Sequence, residues 1–245
     1  TQAGESLHEH AQAMARSAGA ALDAAAQHGQ QPTGRLRVSA SVTYGRHVLS
    51  ALLPGFIKRF PGVEVELLLV DRYVDLLEEG LDLTVRFTAK PPPSLAGRPL
   101  HDVSFVVCGA PSFISNHPVG HPQDLKSVPC MSFSAQARRN GSTWRFLRGR
   151  EHVDVDVKGP VVVNSSDVVR ELVLGQMGLG LLPEFVVKQD LAAKRLKAVL
   201  PDWQATGTFG PTAWVLWQPQ RTMPPKMRVF VDYLVEQLGS EAATL

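Results

Sequence analysis

Cysteine is scarce: the 245 residues contain two, Cys108 and Cys130. Both sit in apolar runs that read as strands, and two thiols supply no disulfide framework, so both are expected buried and reduced. Long hydrophobic runs are absent as well. No stretch approaches the roughly 18 apolar residues of a membrane span, and the N-terminus lacks the basic-then-apolar pattern of an export signal. A cytoplasmic location away from membranes is therefore expected. Charge of one sign is nearly missing too, since the formal net value is +2. That balance gives no argument for nucleic-acid binding from charge alone. Catalytic signatures are wanting: there is no Gly-x-Ser-x-Gly elbow, phosphate loop or zinc motif. The chain shows no visible nucleophile or base, so no enzyme, no cofactor and no metal site are expected. His117 and His121 have a metal-like spacing, but Pro118 prevents one regular helix from presenting both, and a surface loop is the simpler reading.

What is present is a 44% hydrophobic composition, enough to bury an ordinary core in one large domain or two small ones. Residues 34–69 read as strand, polar turn, helix and strand. Ser41, Val42 and Thr43 stand where the first strand ends and the helix begins, the place where open α/β sheets bind ligands with unpaired backbone N–H groups. Val48, Leu49, Leu52, Leu53, Phe56, Ile57 and Phe60 give the helix an apolar face, with Pro54 expected either to kink it or to mark its start.

Further along, the pattern predicts a helix over 71–79, a strand over 81–87, a strand over 103–108 and a helix near 112–116. Strands are predicted at 130–133 and near 143–146. Val153, Val155 and Val157 alternate with Asp154 and Asp156, as in a half-exposed strand. Ser165, Ser166 and Asp167 are good N-caps for a helix bearing Val168, Val169, Leu172 and Val173. Gly175, Gly178 and Gly180 follow a helix rather than a strand, so they form no dinucleotide fingerprint, and close packing is their expected role. A strand over 212–217 and a final amphipathic helix after Pro224 and Pro225 complete the set. Alternating strands and helices predict an α/β fold with a mostly parallel sheet.

Residues 1–31 differ from the rest. Leu7, Ala11, Met14, Ala18, Ala21 and Ala25 are spaced alternately by four and three, a heptad seam that needs a partner helix. The reading is a self-pairing linker helix, with a solvated helix packed on its own domain as the alternative. Arg138, Arg139, Arg145, Arg148 and Arg150 form a basic cluster without aromatic interleaving, and a solvated face is the better account of it.

Taken in order, several segments resemble the LysR-type transcriptional regulators. Thr1-Gln2-Ala3-Gly4-Glu5 is similar to the segment that opens the family's linker helix, and Gly34-Arg35-Leu36-Arg37-Val38-Ser39 to the first strand of its effector-binding domain. Leu53-Pro54 with Phe56 and Pro61, Asp82-Leu83-Thr84-Val85-Arg86, and Gly178-Leu179-Gly180-Leu181-Leu182-Pro183 follow in the family's order. The resemblance implies two Rossmann-like subdomains as in type 2 periplasmic binding proteins, preceded by a long linker helix over 1–31. Subdomain I would hold 34–104 plus 213–240, and subdomain II 105–212. It also implies a small-molecule effector between the subdomains, a homo-oligomer (dimer or higher), and operator DNA contacted through a winged helix-turn-helix missing from this chain.

Two facing polar turns carry the expected effector site: Ser39, Ser41, Val42 and Thr43 on one side, Asn164, Ser165 and Ser166 on the other. Hydroxyls and free N–H groups suit a carboxylate or other polar molecule, although each serine could equally be a helix cap. Arg86 either meets an anionic group bidentately or pairs with Asp82 or Asp71. Thr84 and Phe133 lie at strand positions that either line the cleft or belong to the core. The competing functional readings are a solute-binding protein of a transport system, against which the missing export signal and the seam helix argue, and a transferase on the same scaffold.

Overall fold

The computed structural model describes residues 1, 4, 7, 10, 11, 14, 32–133, 142–206 and 210–239. Two sheets organise it. The first has five strands in the order β2-β1-β3-β13-β4, with β1 at Gly34–Ala40, β2 at Val63–Leu69, β3 at Leu83–Thr88, β4 at Ala96–Asp102 and β13 at Thr212–Trp217. β1 runs parallel to both β2 and β3, so Val38 lies opposite Leu67 and Leu83. β13 arrives from the far end of the chain and inserts antiparallel between β3 and β4. The sheet is therefore mixed, where strand and helix alternation predicted it mostly parallel. The prolines after β3 lead to β4 without a crossover helix, which removes the right-handed βαβ step the pattern assumed.

A long helix, α1, follows β1. It is α-helical over Val42–Tyr44, π-helical over Gly45–Leu49 and α-helical again over Ser50–Arg59. A Cβ on Gly45 would stand 2.1 Å from Leu69 Cδ2, so the missing side chain lets α1 pass close over β2. Pro54 lies inside the last α-helical part rather than at a boundary. One lost backbone bond is tolerated there because the helix is held by its apolar face. Phe56 is fully buried, with its ring centroid 4.9 Å from Phe230 and 5.4 Å from Tyr233 of the C-terminal helix α5, Pro225–Gly239.

The helix expected over 71–79 does not form. Residues 76–80 are a turn, and the buried apolar side chains are Val74, Leu76 and Leu81, while Leu77 is exposed. That spacing does not fit one helical face. Asp75 also accepts from the N–H groups of Leu77 at 2.8 Å and Glu78 at 3.1 Å, a local cap that competes with helix propagation.

The second sheet has eight strands. Its order is β8-β7-β12-β5-β10-β6-β9, with β11 also on β5. They are β5 Phe105–Gly109, β6 Cys130–Phe133, β7 Ser142–Arg148, β8 Glu151–Val157, β9 Val162–Val163, β10 Leu179–Pro183, β11 Lys197–Val199 and β12 Gln204–Thr206. Val153, Val155 and Val157 of β8 point into the core, as their alternation predicts, while Asp154 stands 3.4 Å from Arg145 of β7. Arg148 reaches Glu151 at 2.8 Å and lies over the Trp203 ring at 4.2 Å. These arginines are thus occupied on a solvated face, and Arg138 and Arg139 lie outside the described residues. Helices α2 (Pro111–Asn116), α3 (Ser166–Leu174) and α4 (Glu184–Ala192) cover this sheet. A Cβ on Gly178 would lie 2.5 Å from Pro129 O, so this glycine serves close approach of β10 to its neighbour.

Each sheet with its helices forms a lobe. The chain crosses between them at Val103 and Ser104 and returns at Gly210 and Pro211, and Val103 N–H donates to Pro211 O at 2.7 Å. This pair of crossings joins the two lobes.

Cys108 and Cys130 are free and buried. Burial pushes both thiols from 9.0 up to about 12, with Asp190 adding to the rise at Cys108. Neither is expected to react with iodoacetamide near neutral pH in the folded protein, and both are expected to label at the rate of unfolding. Rapid labelling of the native chain, read by mass spectrometry, would contradict this. The sign of the linkage is also fixed. Above the ordinary thiol value the unfolded chain loses protons that the folded chain keeps, so stability falls as pH climbs from about 9 towards 12.

Candidate functional site

The polar residues singled out in the sequence fall into two groups. One group is structural. Ser39 and Thr84 are opposed across β1 and β3, both buried, and Ser39 Oγ donates to Thr84 Oγ1 at 2.7 Å. The pair satisfies itself inside the sheet. Phe133 is half-buried and packs on the cluster of Met131, Val169 and Leu182. Ser165 is the N-cap of α3, its hydroxyl accepting from Val168 N–H at 3.4 Å. Ser166 is buried in that helix's first turn, and Asn164 is exposed just before it.

The other group lies at the end of the first sheet. Ser41 and Arg86 each follow the last paired residues of the two strands, Ala40 and Val85. Ser41 Oγ is buried without a hydrogen-bond partner. Arg86 Nη1 donates to Val70 O at 2.7 Å, and its Nη2 is also buried without a partner. Arg86 thus pairs with neither Asp82 nor Asp71 through a direct salt bridge. Asp82 is engaged elsewhere, accepting from Arg37 N–H at 2.8 Å with Lys226 Nζ at 3.7 Å. Asp71 accepts from Val42 N–H at 3.0 Å. Desolvation holds the Arg86 guanidinium below its ordinary pKa, and the charges of Asp71 and Glu79 act against that.

Between the lobes the start of α1 meets the starts of α3 and α4. Thr43 Oγ1 donates to Asp167 Oδ2 at 3.4 Å, and His47 Nε2 bonds Asp167 Oδ1 at 2.7 Å. Tyr44 is fully buried, edge-on to Phe87 at 5.2 Å and to Phe185 of α4 at 5.7 Å. His47, Asp167 and Phe185 were not picked out as site residues. The available signal was the spacing of Thr43 and His47, four apart and so on one helix face. Ser132 was missed too: it lies on β6 next to Phe133, and its hydroxyl is buried without a partner.

Among the described residues no group of three or more His, Cys, Asp or Glu side chains is placed to hold a metal. His117 stacks on Phe113 and bonds its carbonyl at 3.0 Å, and His121 caps the 3-10 turn Pro122–Ser127. No helix among the described residues is long and apolar enough to cross a membrane.

Two mixed α/β lobes joined by a double crossing, with polar strand and helix ends facing each other, define a ligand-binding domain of the type 2 periplasmic-binding-protein kind. The profile described as the LysR substrate binding domain matches residues 29–239. The chain belongs to the LysR family of transcriptional regulators and contains that domain. It is 34% identical over 240 residues to the probable HTH-type transcriptional regulator LtrA of Klebsiella pneumoniae, spanning 96% of this chain and 76% of that protein. It is 32% identical over 244 residues to the HTH-type regulator PtxR of Pseudomonas aeruginosa, spanning 98% and 76%. Its fold matches the regulatory domain of CrgA, a LysR-type regulator of Neisseria meningitidis, with a TM-score of 0.73 at 25% identity over 85% of this chain and all of that one. It also matches full-length AphB of Vibrio cholerae, with a TM-score of 0.75 at 21% identity over 96% and 79%. The family consists of regulators that bind small effectors, oligomerise and bind operator DNA; it is neither a family of transport proteins nor one of enzymes.

Proposed function

We propose that this domain senses a small carboxylate or similarly polar molecule held between the lobes, with Ser41, Arg86 and Ser132 as its principal polar contacts. Ser39, Val42, Thr43, Thr84, Phe133, Asn164, Ser165 and Ser166 shape or support the same cleft. The observation that carries the reading is that Arg86 Nη2 and Ser41 Oγ, on the residues that follow the paired Val85 and Ala40, are each buried without a hydrogen-bond partner. An unmet buried donor is costly, and an arriving oxygen would relieve it. Residues 34–104 plus 213–240 form one jaw and 105–212 the other, with the two crossings between the lobes acting as the hinge. The N-terminal seam pairs with a second copy, although its positions Ala18, Ala21 and Ala25 lie outside the described residues. Its described seam positions Leu7 and Met14 are exposed, at 70% and 73%, which leaves that face open to a partner. Operator DNA is contacted by a helix-turn-helix outside this chain, and the regulator works in the cytoplasm.

The test is a thermal-shift screen of the full chain against small carboxylates, aromatic acids and redox-active compounds, followed by titration of the hit. A true effector raises the melting temperature by mass action. Arg86→Met is expected to weaken it about 10- to 100-fold, the worth of a charge-assisted hydrogen bond. A hit that binds Arg86→Met and Ser41→Ala as tightly as wild type lies elsewhere, and would sink the assignment.

A further inference from the structure

Asp167 sits in the first turn of α3, behind the Ser165 cap, where the helix dipole already favours a carboxylate. Its other partners come from the opposite lobe. Thr43 Oγ1 lies 3.4 Å from Oδ2, while Arg46 Nη1 lies 3.5 Å and His47 Nε2 2.7 Å from Oδ1. These three residues of α1 stand at i, i+3 and i+4, so they share one helix face and converge on one carboxylate. The contact with His47 is sheltered, the Asp167 side chain being 17% exposed and that of His47 21%, while Arg46 approaches from the solvent side at 66%. A simple N-terminal acid on α3 would need none of these partners. The α1 groups equally have no need of a carboxylate from the other lobe for their own helix.

We infer that Thr43, Arg46 and His47 form a carboxylate-binding site, that Asp167 fills it in the ligand-free domain, and that a carboxylate-bearing effector takes the place of Asp167. This rests on the effector reading above and narrows it, because it names the group on the ligand and what that group must displace. The chain supplies its own competitor from the facing lobe. Asp167 clasps the lobes at one separation while it occupies the site, and a ligand carboxylate there frees α3 to shift about the hinge. The ligand then binds the two arrangements with different affinity, which is the condition for any effector to move the equilibrium.

Occupation of the vacated site by acetate tests this. Spin labels at Lys58→Cys on α1 and Lys158→Cys after β8 report lobe separation, since both positions are exposed and both native thiols are buried. In an Asp167→Ala background the distance distribution is expected to lengthen and broaden. Sodium acetate is expected to raise the melting temperature of that variant saturably by filling the vacated site and to leave its lobes open, sodium chloride at equal ionic strength is not expected to stabilise it, and Asp167→Ala/His47→Ala is expected to gain nothing from either. Asp167→Asn keeps the side-chain shape and is expected to open as Asp167→Ala does, so a folding defect in alanine does not decide the matter. An unchanged distribution in both variants, or equal effects of acetate and chloride, overturns the proposal. Neither result depends on the natural effector: if acetate fills the vacated site while the compound screen finds no Arg86-dependent ligand, the effector reading fails and the carboxylate site stands.

Discussion

Asp190→Ala is expected to lower the stability of the domain by about 3–5 kcal/mol, the usual cost of removing one partner from a buried ion pair. The side chain of Asp190 is 1% exposed and sits among three charged contacts. Arg170 of α3 reaches it with Nε at 2.5 Å and Nη2 at 2.9 Å, and Arg195, just past α4, with Nη2 at 2.5 Å. The two arginines have different fates on truncation. Arg195 is 56% exposed and returns to water, whereas Arg170 is 18% exposed and keeps Glu171, itself 69% exposed, as its direct ion-pair partner. Arg170 is therefore the source of the loss. Bond and charge from Asp190 hold the Arg170 pKa above its ordinary value, in the direction such dependence requires. Urea denaturation read by Trp fluorescence measures the change. Asp190→Leu/Arg170→Met is expected to recover most of it, since two apolar side chains leave no buried charge behind. A loss below about 1 kcal/mol for Asp190→Ala would mean that Arg170 finds water freely, and the pair would then be an ordinary surface one.

The same network shows what can be read from a chain of letters. The strand ranges 130–133 and 212–217 agree with β6 and β13, and the capping Ser165 with the start of α3, because alternation, turns and caps are local properties. The order of the sheets is not local. Nothing between Thr212 and Trp217 marks that strand as the antiparallel filling between β3 and β4, and its place came only with the family resemblance. The turn at residues 76–80 misled in the opposite way, because a helix over 71–79 would set Val74 and Leu77 on one face, yet the chain buries Val74, Leu76 and Leu81 instead. For the site, hydroxyls at a strand end were legible as chemistry but their partners were not. Ser39 and Ser41 are two residues apart, and one is satisfied by Thr84 while the other has no partner. His47 and Asp167 are 120 positions apart, and no short-range pattern predicts that they meet at 2.7 Å.

Tyr44→Ala carries the second large expectation, a loss of about 3–5 kcal/mol, in line with truncation of a fully buried aromatic ring. Its position makes the loss informative. Tyr44 begins α1 in the first lobe, yet its ring is edge-on to Phe185 of the second at 5.7 Å and stacked on His101 at 5.9 Å. His101 Nδ1 lies 2.8 Å from the Asp102 carbonyl, which can only accept, so Nδ1 carries the proton and Nε2 is the acceptor for the Tyr44 hydroxyl at 3.0 Å. Tyr44→Phe removes that bond alone and is expected to cost about 0.5–1.5 kcal/mol. The remainder belongs to the ring, shared between the first lobe's core and the contact with Phe185. A double-mutant cycle with Phe185→Ala divides them. If the ring fastens the lobes, the two truncations are non-additive by about 0.5–1.5 kcal/mol, the worth of an aromatic pair. Additivity within about 0.3–0.5 kcal/mol would assign Tyr44 wholly to its own lobe, and the hinge would then be held by the Asp167 clasp and the Val103 to Pro211 bond without it.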